Sequence, residues 1–271
     1  MGNLSRHLKK MITVPTVRWR MFRKILIGIR YFARGWYFHF TNPETRMSAI
    51  PVGWHMNGEF QTVIRHRPEL GEQNQNRIAN MRAACQAICG MLLEPGQVFS
   101  LGRVIGDPSA DRGYLPGPVI LNGKLRSSTG GGLCQISTTL FNAALLANLD
   151  ILEKHNHSAD IWGEQRMVDL GKDATYAYLR KDLIFRNSSK STVKIQIEVL
   201  DECSALRCRI WSPAANPDTI SIQHRVLSEH PRFVVQTERV VKSAQDERVN
   251  FKRIDSYEKN SSLHRNSART A

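Results

Sequence analysis

One cysteine in a glycine-rich turn is the strongest candidate in this sequence for a chemically reactive residue. It lies in the stretch STGGGLCQISTT, residues 128–139, where three glycines precede an apolar helical pattern that begins at Leu133. Glycines permit a tight turn, so Cys134 is expected in the first turn of the helix. The free N–H groups and the positive end of the helix dipole there favour a thiolate and can stabilise an oxyanion on an attacked carbonyl. The sequence therefore predicts a nucleophile at Cys134.

The segment after this helix contains partners for such a thiol. The letters EKHNHS supply His155 and His157, and imidazole is a common activating base for a cysteine nucleophile. We expect a strand here, on which a spacing of two places both side chains on one face. An acid would orient the imidazole, and the candidates are Asp160, Asp173 and Asp182. The pattern predicts a cysteine, histidine and acid site and leaves the histidine and the acid open.

Two other interpretations of the thiol compete with this one. Cys134 can be a small buried residue, as free cysteines usually are. Cys134, His155 and His157 can also form a metal set with an open fourth position, although the close-spaced ligand pairs of zinc sites are missing. Cys85 and Cys89 lie one turn apart on a predicted helix and are interpreted as core residues. No metal and no cofactor are predicted.

The elements that must position these residues are two helices followed by strands. Apolar residues recur at three and four over residues 73–93 and again over residues 133–148. Short strands are expected at residues 98–101 and 118–122, the second closing through an NGK turn, and period-two patterns follow from Ile151. The sequence predicts an α+β fold with two main helices packed on an antiparallel β-sheet or small barrel.

The net charge limits the kinds of partner that the protein is expected to bind, and the cysteine content indicates its cellular compartment. The 271 residues carry a formal net charge of +14, concentrated before Thr41 and after Arg248. Such a charge attracts acidic surfaces, but no nucleic-acid-binding motif is recognisable, so nucleic acid is not expected as a partner. Five cysteines, an odd number, do not resemble a disulfide framework and indicate reduced thiols in the cytoplasm.

Residues 17–40 are predicted to form a basic amphipathic helix. The longest uncharged apolar run, Ile25 to Ile29, is too short to span a bilayer, and no signal-peptide core is present. The helix either makes peripheral contact with an anionic membrane, at its inner face, or docks on its own domain. We divide the chain into a basic N-terminal segment and connector (1–58), a main domain (59–245) and a polar mobile tail (246–271).

A series of motifs occurs in order between residues 95 and 189: PGQVFS, DRGY, PVILNGK, GGGLCQISTTLFNAAL, HNHS and KDATYAY followed by DLIFRN. Together they resemble the VanW family, which takes its name from a protein of vancomycin B-type resistance clusters. The resemblance implies a domain type that in some Gram-positive wall proteins acts as a cysteine L,D-transpeptidase of peptidoglycan. It implies a VanW-like catalytic-type domain over residues 59–245.

The resemblance also implies roles for individual residues. The cysteine of GGGLCQ is Cys134, with Gly131, Gly132 and Gln135 forming the turn and the oxyanion site. The HNHS motif maps onto His155, His157 and Ser158, and the DAT motif begins at Asp173. We favour His157 as the base. The predicted substrate-binding residues are Arg112, Tyr114, Lys124, Arg126 and Ser158.

The reaction that the resemblance implies is acyl transfer. The Cys134 thiolate attacks a carbonyl of a peptidoglycan stem peptide or precursor, D-alanine leaves, and an amine or water resolves the thioester. Three interpretations stay open: the protein acts on cytoplasmic precursors at the inner membrane face, uses another acyl substrate, or no longer catalyses a reaction. In the non-catalytic alternative the domain is a basic module that binds wall precursors or an anionic membrane surface.

Overall fold

The computed structural model describes residues 2–121, 124–202 and 204–259, and their side chains apart from those of residues 2–17, 121 and 124. The chain divides into two units, residues 1–40 and residues 41–271. Residues 41–58, which the sequence assigns to the N-terminal segment as a connector, therefore belong to the second unit.

The first unit is built on one long helix, α1 (Gly2–Ala33). The predicted helix over residues 17–40 is confirmed as far as Ala33 and is wrong beyond it. The helix ends because Gly35 adopts a φ of +69°, and because Gly35 N–H and Trp36 N–H bond to the carbonyls of Phe32 and Tyr31. No helix of the described residues is both long enough and apolar enough to cross a membrane.

The second unit contains helices and short antiparallel strands. Its helices are α2 (Gln73–Ile88), α3 (Leu101–Ile105) and α4 (Leu133–Leu146). Its strands are β1 (His55–Val63), β2 (Leu92–Leu93), β3 (Val98–Ser100), β4 (Pro116–Leu121), β5 (Lys124–Thr129), β6 (Asp150–Glu153), β7 (Ala159–Asp160), β8 (Ile184–Arg186), β9 (Val193–Leu200), β10 (Ala205–Ser212), β11 (Thr219–Ser228), β12 (Phe233–Lys242) and β13 (Glu247–Lys259).

The strands form four sheets among the described residues, with orders β1-β10-β9-β2, β11-β12-β13-β7, β3-β8-β6 and β4-β5. Only β13 and β7 pair in parallel; the other named pairs are antiparallel. Helix α4 is buried along almost its whole length, and it lies so close to β1 that a Cβ on Gly58 would meet the Ala143 carbonyl oxygen at 2.6 Å. The predicted α+β class with antiparallel sheets is confirmed, and none of the described sheets closes into a barrel.

Helix α2 is shorter than predicted. It ends at Ile88 rather than at residue 93, because Gly90 adopts a φ of +86° and Leu92 and Leu93 pair with β9. Apolar strand residues directly after an apolar helix continue its pattern by chance, which hides this change of structure in the periodicity. The NGK turn falls on Asn122 and Gly123, outside the described residues.

The histidine segment is not a strand. Strand β6 ends at Glu153 and β7 begins at Ala159, so His155 and His157 lie in the loop between them. The pairing stops there because the partner strand β8 begins at Ile184, opposite Glu153. The expectation that both imidazoles share one strand face is therefore wrong.

The prediction of a mobile tail from residue 246 is wrong for residues 247–259. These residues form β13, which pairs with β12 from Lys242–Glu247 to Phe233–Tyr257. The strand is polar because its buried positions include Asp255, which pairs with the buried Lys154 and with Arg253. A charged core position removes the period-two apolar signal by which a strand is recognised. Residues 260–271 of the predicted tail lie outside the described residues.

Candidate active site

The glycine turn before α4 is fixed by close backbone packing. Gly130 and Gly132 adopt φ values of +81° and +101°, which disfavour a side chain. Gly131 lies against Gly117 of β4, and a Cβ on Gly131 would fall 2.3 Å from the Gly117 carbonyl carbon. The three glycines therefore bring β4 and the start of α4 closer together than any other residue would allow.

Asn80 of α2 holds the same turn from the other side. Its amide nitrogen donates to the carbonyls of Gly131 and Leu115, both at 2.9 Å, and its amide oxygen accepts from Leu115 N–H at 2.8 Å. Asn80 is buried, so these bonds form away from water and also satisfy its own polar atoms. The position of Cys134 is thus set by α2 and β4 together.

One face of α4 carries the residues that dock the DAT segment. Cys134, Thr138 and Asn142 are spaced by four and lie above one another on the helix. The Thr138 hydroxyl accepts from Ala174 N–H at 3.0 Å and lies 3.2 Å from the Ala174 carbonyl oxygen, to which it donates. Asn142 donates to the Lys172 carbonyl at 2.7 Å. This docking places residues 172–176 beside the thiol.

The Cys134 thiol is partly exposed at the end of this face. Its Sγ lies 3.4 Å from Thr175 Oγ1 and 3.6 Å from the Tyr176 carbonyl oxygen, and the His157 side chain lies close enough to lower the pKa of the thiol. The structure therefore brings the predicted nucleophile to one of the two predicted histidines.

His157 is held on its other side by Asp173. Its Nδ1 lies 2.7 Å from Asp173 Oδ2, and its backbone N–H donates to the same oxygen at 2.8 Å. Because Nδ1 bonds to the carboxylate, Nε2 is the nitrogen left for the thiol. The second carboxylate oxygen, Oδ1, accepts from the Tyr257 hydroxyl at 2.5 Å, and Tyr257 in turn accepts from Gly171 N–H at 2.8 Å. His157, Asp173 and Tyr257 form one hydrogen-bonded chain beside the Cys134 thiol.

These contacts shift the pKa values of Cys134, His157 and Asp173, in each case toward the charged form of the group. Burial raises the pKa of Cys134, but the hydrogen bond and charge of His157, with the contacts to Thr175 and Tyr176, outweigh it and lower the pKa to about 7. Burial lowers the pKa of His157, but hydrogen bonds with Asp173 and Cys134 raise it to about 10. Burial raises the pKa of Asp173, and its contacts with His157 lower it to about 2. At pH 7 His157 is therefore an imidazolium, and about half of Cys134 is a thiolate.

The remaining candidates for base and orienting acid bind elsewhere. His155 Nε2 lies 2.9 Å from Glu153 Oε1, and its imidazole is partly exposed. Asp160 pairs with Arg166 at 2.7 Å. Asp182 accepts from the Ser100 hydroxyl at 2.6 Å. Of the alternatives that the sequence left open, the geometry joins His157 and Asp173 to the thiol.

The predicted turn and oxyanion residues separate into two kinds. Gly131 and Gly132 shape the turn as expected. The Gln135 side chain donates to Thr62 Oγ1 at 3.0 Å and to the Val63 carbonyl at 3.1 Å. That amide nitrogen therefore anchors β1 on α4.

The predicted substrate-binding residues also differ in their exposure. Arg112, Arg126 and Ser158 are exposed, so their side chains are accessible to a ligand. Tyr114 is only 5% exposed and belongs to the apolar core, so little of its side chain is accessible to a ligand. Lys124 lies in β5, and its side chain is outside the described part of the chain.

The other thiols lack this setting. Burial raises the pKa of Cys85 to about 12 and raises that of Cys208 well above its usual value. Cys89 is exposed at the end of α2, and Cys203 lies outside the described residues. Within residues 2–121, 124–202 and 204–259, no group of three His, Cys, Asp or Glu side chains is placed to hold a metal ion.

Several residues that build the site were not predicted from the sequence. Only some of them belong to a recognisable sequence pattern. Thr138 and Asn142 are polar residues at a spacing of four from Cys134 in an otherwise apolar helix, so their shared face could have been found. The link between Asn80 and the turn, and that between Tyr257 and Asp173, join residues far apart in the chain. No local pattern reveals those two contacts.

Comparison with known proteins identifies the family. A family model described as VanW like protein matches residues 76–211, half of the chain. The chain belongs to the VanW family. The matched region contains Cys134, His157 and Asp173, whereas Tyr257 lies beyond its end. No solved structure matches this VanW-family chain.

Two curated relatives match about half of the chain. The vancomycin B-type resistance protein VanW of Enterococcus faecalis is 33% identical over 129 residues, which are 47% of this chain and 47% of the relative. The uncharacterised protein YoaR of Bacillus subtilis is 32% identical over 127 residues, 47% of this chain and 41% of the relative. The chain thus spans less than half the length of either relative.

Proposed function

We propose that this VanW-family chain is a cysteine-dependent acyl transferase of the L,D-transpeptidase type that acts on peptidoglycan stem peptides or their precursors. The observation that carries the proposal is the His157–Asp173 pair beside Cys134, with the pKa of the thiol lowered by His157 to about 7 and that of the imidazole raised to about 10. The substrate class follows the family resemblance and accords with the name of the Enterococcus relative, a vancomycin resistance protein.

The first half of the reaction forms a thioester. The Cys134 thiolate attacks the carbonyl carbon that precedes the terminal D-alanine, and the carbonyl oxygen becomes an oxyanion. The His157 imidazolium then gives its proton to the departing D-alanine nitrogen, the C–N bond breaks, and the acyl group remains on sulfur. Asp173 keeps the imidazole in the orientation and tautomer that this transfer needs.

The start of α4 supplies the oxyanion site in this mechanism. Leu133 N–H bonds to the Gly130 carbonyl and Gln135 N–H bonds to the Gly132 carbonyl. The backbone N–H of Cys134 lies between them at the positive end of the helix, and we assign it to the oxyanion. In the second half of the reaction neutral His157 takes a proton from an acceptor amine or water, which attacks the thioester and restores the thiolate.

The proposal is tested by incubating the full chain with a synthetic stem tetrapeptide that ends in D-alanine. We expect an adduct on Cys134 equal in mass to the peptide minus D-alanine, together with free D-alanine, and no adduct in Cys134→Ala. The Cys89→Ala variant, which removes an exposed thiol outside the site, should form the adduct as the natural chain does.

The alternative is a basic module that binds a wall precursor without chemistry. It predicts that Cys134→Ala binds the tetrapeptide while neither form releases D-alanine. If folded protein at high enzyme concentration gives no adduct and no D-alanine, the transferase proposal is wrong for this substrate class.

A further inference from the structure

Helix α1 presents an apolar surface made of large, exposed hydrophobic side chains. Its side chains are between 41% and 64% exposed, although all are large and hydrophobic: Trp19, Met21, Phe22, Ile25, Leu26, Ile29 and Phe32. At about 100° per residue they fall on one side of the helix, over roughly half of its circumference. We call this set the α1 apolar face. Contiguous apolar surface of this kind marks a site of interaction.

Basic residues occupy the opposite side and the border of this face. Arg20, Arg23, Lys24 and Arg30 point away from it at the same periodicity, and Arg18 lies within it. The Arg23 guanidinium lies 5.4 Å from the centre of the Trp19 ring, which joins the basic side to the edge of the α1 apolar face. No Asp or Glu occurs in the sequence before Glu44, so the whole helix is cationic.

The C-terminal end of α1 is stiffened by its own aromatic residues. Tyr31 is only 5% exposed, and its ring lies 5.0 Å from that of Phe40 and 6.2 Å from that of Trp36. The Arg34 guanidinium lies 4.9 Å from the centre of the Trp36 ring. This cluster lies on the side opposite the α1 apolar face and holds the turn after the helix in place; of the face itself, Phe32 packs edge-on against Phe38 at 6.0 Å between ring centres and stays 64% exposed.

We infer that α1 binds the surface of an anionic membrane, with the α1 apolar face in the boundary between headgroups and acyl chains and the arginines and lysine among the lipid phosphates. A purely apolar partner would not use the uniform positive charge of the helix. A cationic amphipathic helix with an aromatic residue at its edge has the chemistry of interfacial binding to acidic lipids. The inference is independent of the reaction proposed at Cys134.

The test is sedimentation of the full chain with vesicles of phosphatidylglycerol and phosphatidylcholine in equal parts. Ile29→Glu inserts a charge into the α1 apolar face and is expected to weaken binding by about tenfold or more. Gly28→Glu changes the net charge by the same amount at an open position outside that face, and we expect a loss of about threefold at most. Cys134→Ala should bind the vesicles as the natural chain does.

Two controls test whether anionic lipid, rather than another partner, binds the α1 apolar face. Vesicles of phosphatidylcholine alone should bind much more weakly, and raising the salt from about 0.1 M to about 0.5 M should weaken binding to the anionic vesicles. Equal binding by Ile29→Glu and Gly28→Glu, or equal binding to neutral and anionic vesicles, would overturn the inference. So would light scattering that shows a stable dimer which Ile29→Glu converts to a monomer, because the face would then bind a second copy.

Discussion

Replacing His157 by alanine is expected to lower the rate of acyl transfer at pH 7 by about 10³-fold. The variant loses the group that moves the proton between the leaving and attacking nitrogens, which alone contributes about 10²–10⁴-fold in enzymes. It also loses the contact that holds the pKa of Cys134 at about 7 rather than at or above its usual 9.0. The thiolate fraction at pH 7 then falls from about one half to about one hundredth or less. Release of D-alanine from the stem tetrapeptide measures the rate.

His155 provides the matched control for this variant. It is the same residue type two positions away, in the same loop, and it binds Glu153 instead of the thiol. We expect His155→Ala to stay within about twofold of the natural chain, and Tyr257→Phe, which removes one hydrogen bond to Asp173, to fall between the two variants. Equal losses in His155→Ala and His157→Ala would contradict the assignment of the base.

Gly131→Ala is expected to destabilise the fold by about 3 kcal/mol, or to prevent folding. The new Cβ would lie 2.3 Å and 2.5 Å from two backbone atoms of Gly117 and 2.7 Å from the nitrogen of Pro118. None of these atoms belongs to a side chain that can rotate away, so β4 must separate from the start of α4. Urea unfolding followed by circular dichroism gives the change in the free energy of unfolding.

Gly113→Ala is the control that separates crowding from backbone conformation. Gly113 adopts a φ of +81°, but a Cβ there meets no atom within 4 Å. Its substitution should cost about 1 kcal/mol, the strain of an alanine in the left-handed region. A Gly131→Ala variant as stable as Gly113→Ala would show that β4 does not press against the glycine turn.

The sequence predicts those parts of the site whose residues lie close to one another in the chain. The glycines, the helix that begins at Leu133 and the position of Cys134 in its first turn all lie within a few residues of one another, and the structure has them as expected. His157 and Asp173 were among the candidates, but their selection needs the docking of residues 172–174 on Thr138 and Asn142. That docking is a contact across about thirty residues of sequence, and no pattern within either segment encodes it.

The parts that the sequence does not predict depend on buried polar residues. Strand β13 was assigned to a polar tail, yet it holds the His157 loop at three points: Asp255 pairs with Lys154, the Ser256 carbonyl accepts from Asn156, and Glu258 N–H donates to the Ser158 carbonyl. Buried charges are tolerated when they are paired, and the buried Lys154 and Asp255 lie about a hundred residues apart in the chain. Neither the strand nor its role in the site can therefore be recognised before the folded structure is known.

The most direct test of the account is the pH dependence of alkylation at Cys134. Iodoacetamide reacts with the thiolate, and mass spectrometry of the digested protein reports Cys134 separately from Cys85, Cys89 and Cys208. Because the pKa of Cys134 is lowered to about 7, its labelling rate should rise through a midpoint near pH 7 and be largely constant by pH 8. In His157→Ala the midpoint should move to pH 9 or above. A midpoint at or above pH 9 in the natural chain, unchanged by His157→Ala, would contradict the claim that His157 activates Cys134.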